Sequence, residues 1–335
     1  MILVAALRRL ATAVATLFGV AVVVFVLLRV VPGDPVAMMI APGASPADIA
    51  ALRARYGLDA PIFTQFWIWL GDLLHGDFGT SISLKLNVLD VLAERLPATL
   101  ELAIAALVVA LAIGGAIAIF GVILRRTLAE SLLDAVDGFM LAIPDFVWAL
   151  AFVLLLGVLW PVFPLSGRID PTLTVAFATR FYLIESLVTG RFAVFADILS
   201  HMVMPTLALA LPLAAIVARV LKQALAEAMV QDYVLLARLK GMSETRLVLQ
   251  ETLRNAVGPT LALTGVQFTF LIGGTVIVER IFAYPGIGNM AIDAVINRDL
   301  PLIQGLVLVF GALFILVNIA VDLGVAALNP RLRHG

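Results

Sequence analysis

Residues 102–124 read LAIAALVVALAIGGAIAIFGVIL, 23 residues without a charge. As an α-helix rising about 1.5 Å per residue, the stretch covers about 35 Å, enough to cross a hydrocarbon core of about 30 Å. Each charge near the centre of such a helix costs about 2.5–3.5 kcal/mol on insertion, so a run this clean is rarely accidental. Its residues do not alternate apolar with polar, which argues against a barrel strand. Five further charge-free runs follow the same logic: Leu10–Leu28, Phe146–Gly167, Met202–Ala218, Asn255–Val278 and Leu300–Val321. Met202–Ala218 is the shortest and contains Pro205 and Pro212, but it can extend to Leu225 with Arg219 and Lys222 snorkelling at its end. The expected fold class is an all-α membrane protein with six transmembrane helices.

Composition agrees. Hydrophobic residues make up 62% of the 335-residue chain and charged residues 13%, with a mean hydropathy of +1.10. Soluble domains are nearer 45–50% apolar and ~25% charged. A net charge of −1 gives no field that would gather nucleic acid. The absence of cysteine removes disulfides, thiolate metal sites and Cys nucleophiles. Arg8 and Arg9 precede the first run in the manner of a signal peptide, but Leu28–Pro32 offers no small-residue cleavage site, so a retained anchor is expected.

Lys and Arg placement sets the orientation. With the N-terminus inside, the inside segments 1–9, 125–137, 219–254 and 329–335 hold 12 basic and 7 acidic residues, and the outside segments hold 10 and 14. Both termini are therefore expected in the cytoplasm. Residues 32–96 become an external helical insertion. Within it, Ser45-Pro46-Ala47-Asp48 reads as a helix start and Gly57 as its stop. Pro61–His75 reads as a second helix rich in Phe63, Phe66, Trp67 and Trp69, either an interfacial aromatic belt or a docking surface. Residues 76–80 read as a turn, and 168–201 form a second external segment of mixed charge.

The inside segment 219–256 carries the most information. Glu227 to Lys240 is strongly helical by composition, Gly241 stops that helix, and Ser243 caps a second, with Glu244 in its first turn, running to about Asn255. Plain connections take 2–8 residues. Two short helices around a glycine form instead a knob suited to docking in a groove on another protein.

The chemistry of a membrane enzyme is missing from the pattern. His75, His201 and His334 are scattered, no His-Glu-x-x-His or Gly-x-Ser-x-Gly occurs, and none of Lys85, Lys222 or Lys240 follows a glycine, so there is no P-loop. An ATP-driven transporter would need its ATPase from a partner, docked at the knob. A self-contained secondary carrier or channel is the alternative; a carrier should show acids or broken helices repeated in two halves, and no such symmetry is visible. A membrane scaffold is a third reading, but it would not need the knob.

A series of motifs then resembles one family, the B-type membrane permease subunit of dipeptide/oligopeptide/nickel ABC importers. They are Arg29–Val36 (RVVPGDPV), Arg55–Leu58 (RYGL), Gly76–Ser81 (GDFGTS), Glu94–Leu102 (ERLPATLEL), Asp232–Gly241 (DYVLLARLKG), Leu253–Ala256 (LRNA), Gly273-Gly274 with Val278-Glu279, Tyr284–Gly288 (YPGIG), Asn297–Pro301 (NRDLP) and Asn329–Arg331 (NPR). The resemblance implies the type I ABC importer permease fold, in a bacterial cytoplasmic (inner) membrane, with an EAA-type coupling loop around Gly241. In the general EAA pattern an Ile-x-Leu-Pro follows the glycine; here Glu251-Thr252-Leu253-Arg254 stands in that place. It also implies a homologous C-type permease, two ABC ATPase subunits, an extracytoplasmic solute-binding protein and the lipid bilayer as partners, and no nucleic acid. ATP and Mg would sit on the ATPases, with no cofactor and no metal on this chain. The expected organisation is an anchor helix at 1–31, the insertion at 32–96, a five-helix permease core at 97–328 containing the 219–256 coupling loop, and a cytoplasmic tail at 329–335.

The expected ATPase-coupling residues are Asp232, Tyr233, Ala237, Lys240, Gly241, Ser243 and Arg246. Pathway or gating candidates are Pro144, Asp145, Gly273, Gly274 and Glu279, and none is catalytic. Pro144, Pro205, Pro212 and the glycine pair weaken helices where a span could bend. Asp145 stands where the family more often carries a small polar residue such as Ser. Either its span begins near Gly138 and the carboxylate lies two turns inside the membrane, a functional position by default, or the span begins at Phe146 and Asp145 caps it.

Overall fold

The computed structural model describes residues 2–30, 47 and 60–328. Their elements run α1 (Ile2–Val30), α2 (Ile62–Leu74), α3 (Val88–Ile123), α4 (Leu128–Ala142), α5 (Asp145–Phe152) continued by a π-helical segment Val153–Leu159, and α6 (Tyr182–Val188). Then follow α7 (Phe192–Met229), α8 (Asp232–Leu239), α9 (Glu244–Arg246) continued by a π-helical segment Leu247–Thr252, α10 (Leu253–Ile281), α11 (Ile287–Ile296) and α12 (Leu300–Leu328). No strand occurs among the described residues, and the single bridge pairs Thr80 with Asn87. Among the described residues, five helices are long and apolar enough to cross a membrane: Ala11–Arg29, Val88–Ile123, Phe192–Met229, Glu244–Ile281 and Leu300–Val321. A sixth crossing results if Leu128–Ala142 and Asp145–Leu159, which meet at 98°, are one bent span.

Two expectations change. The Phe146–Gly167 run is helical only as far as Leu159, because Pro161 and Pro164 follow and cannot continue the ladder. The second coupling helix does not end near Asn255 either: Glu244–Ile281 is one helix of 38 residues, and its π-helical segment carries the chain straight into the span. The charge-free run begins at Asn255, but helical backbone bonding does not stop where charge does; the Asn255 side-chain amide instead ties the helix to α8 by donating to Tyr233 Oη at 2.8 Å. The helix expected between Ser45 and Gly57 lies, apart from residue 47, outside the described residues, as does the tail 329–335.

The chain divides into two compact units. The first comprises residues 1–96 and 289–316. In it α2 packs on α1 through aromatic rings, and Gly311 of α12 lies against Leu17 and Val20 of α1. Two motifs far apart in sequence meet here. Buried Asp299 caps α12 and accepts hydrogen bonds from Ser81 Oγ (2.6 Å), Ser83 Oγ (2.7 Å) and Ser83 N–H (2.9 Å). Burial pushes the Asp299 carboxyl up, but the Ser81 hydroxyl and the Ser83 N–H and hydroxyl together hold it below its ordinary value. The carboxylate therefore stabilises the fold above the ordinary carboxylate range, and that contribution disappears as pH falls through the depressed value. Asp299→Ala is expected to destabilise by about 1–3 kcal/mol at pH 7, through donors left unsatisfied, and to flatten the acid limb of a thermal-unfolding series. An acid limb identical to that of the parent would contradict this assignment.

The second unit comprises residues 97–288 and 317–335. Its axis is α7, which buries Ala208, Ala210, Ala214, Ala215 and Ala218 and keeps Pro205 and Pro212 inside one continuous helix. The small side chains let neighbours approach closely. A Cβ at Gly114 of α3 would collide with the Ala214 carbonyl and with Val217. α4 starts with a reciprocal cap: Thr127 Oγ1 accepts the Glu130 N–H, and the Glu130 carboxylate accepts the Arg126 N–H at 2.7 Å. Its acidic face then pairs with α7, Lys222 with Glu130 (3.0 Å) and Asp134 (2.7 Å), and Arg219 with Asp137 (2.8 Å).

Candidate functional site

The glycine-centred knob is built as its sequence demands. Gly241 has φ +82°, the left-handed conformation that terminates α8. Its N–H bonds the Arg238 carbonyl and the Met242 N–H bonds that of Ala237. Behind the turn, Val234, Ala237 and Leu247 form a small core with Met229 and Met242. Arg238 bridges the turn to Glu244 at 2.9 Å, and Tyr233 is tied to α10 by Asn255. Ser243 stands at the N-cap of α9 without a side-chain capping bond.

Of the expected coupling residues, Asp232, Tyr233, Lys240, Gly241, Ser243 and Arg246 are exposed. Ala237 is not: it points into the knob's core, because the short chain lets α8 sit down on Leu247. The residues that sequence reading passed over are Leu235, Leu236 and Leu239, all exposed, with Leu239 at 77%. Three leucines on the solvent side of an eight-residue helix were the available signal.

At the helix break, Ile143 and Pro144 separate α4 from α5, and Trp148 Nε1 donates back across the bend to the Met140 carbonyl. Asp145 is the first residue of α5, after Pro144 at the N-cap position, and its carboxylate accepts the Phe146 N–H at 2.7 Å. The same carboxylate lies against Gly274 of α10, where a Cβ would come within 3.1 Å of Oδ2. Gly274 is inside the charge-free run Asn255–Val278, so Asp145 stands beside a span interior. Gly273 and Gly274 leave α10 continuous.

The far end of α10 carries fully buried Glu279, which accepts from Thr99 Oγ1 at 2.7 Å. Thr99 Oγ1 in turn accepts the Ile287 N–H, and the YPGIG turn folds so closely over Glu279 that a Cβ at Gly286 would overlap its carboxylate. Nearby, Glu101 and Arg168 form a buried ion pair at 2.6 Å. Glu101 also accepts the Leu183 N–H, and Arg168 donates to the Arg180 carbonyl and stacks 4.0 Å from the Tyr182 ring centroid. Burial pushes the Tyr284 phenol up. Residues 167–183, to which sequence gave no role, are thus clasped to α3 and, through Gly167 N–H and the Phe282 carbonyl, to the end of α10.

In the second unit, α10 and its π-helical lead-in run from the leucine-faced knob at one end to the buried Glu279 cluster at the other. Residues 110–334 match the family described as the binding-protein-dependent transport system inner membrane component, and residues 2–103 match its N-terminal membrane-component family. The chain belongs to this family and is a multi-pass, non-catalytic permease subunit of an ATP-driven importer. It is 34% identical over 333 residues to the dipeptide transport system permease of Escherichia coli K12. Over 328 residues it is 36% identical both to the di/tripeptide permease of Pseudomonas aeruginosa and to the glutathione permease of Salmonella typhimurium. Each match covers 98% of both chains. The fold is similar to a methionine ABC transporter solved in inward-facing conformations, with TM-score 0.52 at 15% identity over 69% of this chain and 93% of that one.

Proposed function

We propose that the chain forms one half of a pathway for peptides or related small solutes, the other half being a homologous C-type permease. Two ATPase subunits holding ATP and Mg dock on the knob, and an extracytoplasmic solute-binding protein delivers cargo on the opposite side. Both termini and residues 219–254 face the cytoplasm, in keeping with their excess of Lys and Arg. The observation that carries the docking assignment is the exposed apolar face of α8. Leu239 stands three residues from Leu236 and four from Leu235, the spacing at which groove-seeking helices place their anchors.

Asp145 is the acid that meets cargo in this reading. The relatives are named for dipeptides, di/tripeptides and glutathione, which all carry an ammonium group. A carboxylate beside a span interior is costly unless it serves a pathway or a partner. The Pro144 break next to it and the Gly273-Gly274 pair opposite are the hinge candidates for alternating access. The test is uptake by proteoliposomes containing all the subunits. ATP-dependent uptake of a labelled dipeptide is expected. Asp145→Asn is expected to lower uptake of peptides with a free amino terminus about tenfold, the equivalent of a ~1.5 kcal/mol charge-assisted hydrogen bond, and to spare N-acetylated ones. An equal change for both substrates refutes the charge-selective role. Failure of every peptide in the complete assembly refutes the peptide reading.

A further inference from the structure

The 13-residue helix α2 stands on the side of the membrane where α1 ends, yet it does not sit above the lipid. Its depth can be read against α1. Arg29 closes the charge-free run of α1, and its Nε donates to Gln65 Oε1 of α2 at 2.9 Å. Phe25 lies about 6 Å and Phe18 about 16 Å further into that run, at 1.5 Å per residue. The Phe66 ring of α2 packs edge-on against both, with centroids 5.2 Å from Phe25 and 5.9 Å from Phe18. Trp69 lies 5.4 Å from Phe25. Half of a ~30 Å hydrocarbon core is about 15 Å. A cap in water could not put Phe66 against a residue that deep in a span.

The helix is also divided for that position. At 100° per residue, Thr64, Gln65, Asp72 and His75 fall within about 100° of its circumference. Phe66, Trp69 and Leu73 turn towards α1, and the remaining flank carries Phe63, Trp67, Leu70 and Leu74. Phe63 is 70% and Leu74 80% exposed in the chain, and Trp67 is exposed as well. Phe63, Trp67, Phe66 and Trp69 form one chain of ring contacts from this open flank to the α1 side. A polar strip, a flank packed on a span and an open aromatic flank below the polar strip are what a helix lying in a membrane interface requires.

We infer that α2 is an interfacial helix immersed in the leaflet at the Arg29 end of α1, with Phe63, Trp67 and Leu74 against acyl chains, not against another protein. The chain between α1 and α3 thus dips back into the membrane surface before the second span begins. The inference rests on the membrane fold, not on the cargo or on the direction of transport. In the orientation proposed above, the leaflet is the external one.

The sequence has no cysteine, so single labels are readily placed. Phe63→Cys, Leu74→Cys and Asp72→Cys, each spin-labelled on this chain and assembled with its partner subunits in liposomes, would be compared for collision with oxygen and with a water-soluble nickel complex. Labels at 63 and 74 are expected to meet oxygen freely and nickel several-fold less than the label at 72, with or without binding protein. Equal nickel access at all three sites overturns the inference. So does protection at 63 and 74 that appears only when binding protein is added, which would make the flank a docking surface. Exclusion of both oxygen and nickel, with an immobilised label, would place another permease there and also overturn it. Positions 63 and 74 lie away from the α1 contacts, so the variants keep the packing that defines the helix.

Discussion

Gly241→Asp is expected to abolish binding-protein-stimulated ATP hydrolysis by the assembled transporter, while the chain still inserts and accumulates. At φ +82° any Cβ costs about 1–2 kcal/mol, enough to shift a two-state equilibrium five- to thirty-fold. Among the described residues no atom outside the glycine's immediate neighbours lies within 4 Å of where that Cβ would stand. The substitution therefore meets no obstacle within its own chain. Its cost falls on the turn that sets α8 against α9 and on whatever surface the knob is pressed into. Gly241→Ala carries at least as much backbone strain, since aspartate tolerates the left-handed region better than alanine, but it adds no charge to the surface and should lose less. Stimulated hydrolysis in proteoliposomes, set beside the amount of permease in the membrane, separates coupling from folding. Unchanged stimulation in the aspartate variant would remove Gly241 from the coupling surface.

Arg168→Met is expected to cost about 3–5 kcal/mol of stability, more than the loss of the Asp299 carboxylate. It leaves Glu101 charged, buried and without its cation, the situation in which breaking a pair is far worse than never having had one. The double variant Glu101→Gln, Arg168→Met should recover much of the loss, since it removes both charges. Denaturant unfolding of the solubilised chain, followed by tryptophan fluorescence, measures both. A double variant no more stable than the single one would show that the Arg180 carbonyl and the Tyr182 ring, not Glu101, are what Arg168 serves.

Much of the fold was legible because lipid punishes charge. The clean runs marked the crossings, and the prolines at 144, 161 and 164 bracket the one that bends and stops short. Gly241 was legible for a related reason, since only a left-handed cap explains a glycine between two helical patterns inside a long connection. Depth was not legible. Nothing in Ile62–Leu74 alone says whether its aromatics stand above the membrane or in it; the inference that they lie in it rests on Phe18 and Phe25, more than forty residues away in sequence. The clasp was hidden for the same reason, because Glu101 and Arg168 are 67 residues apart and each reads as an ordinary charge near a span end. The burial of Ala237 was not legible, because helical spacing shows that a face exists without showing which face a short second helix will cover.

The helix that runs without a break from Glu244 to Ile281 joins the knob to the buried Glu279. Thirty-eight residues at 1.5 Å each give a lever arm of about 57 Å. A tilt of about 5° around the knob would carry the far end sideways by about 5 Å, well beyond the reach of the 2.7 Å bond from Thr99 to Glu279. No chain of side-chain relays is then needed between the two ends of the helix. On the docking reading proposed above, a slight swing of the knob would reach the other end of this helix, already magnified, as the breaking of a hydrogen bond.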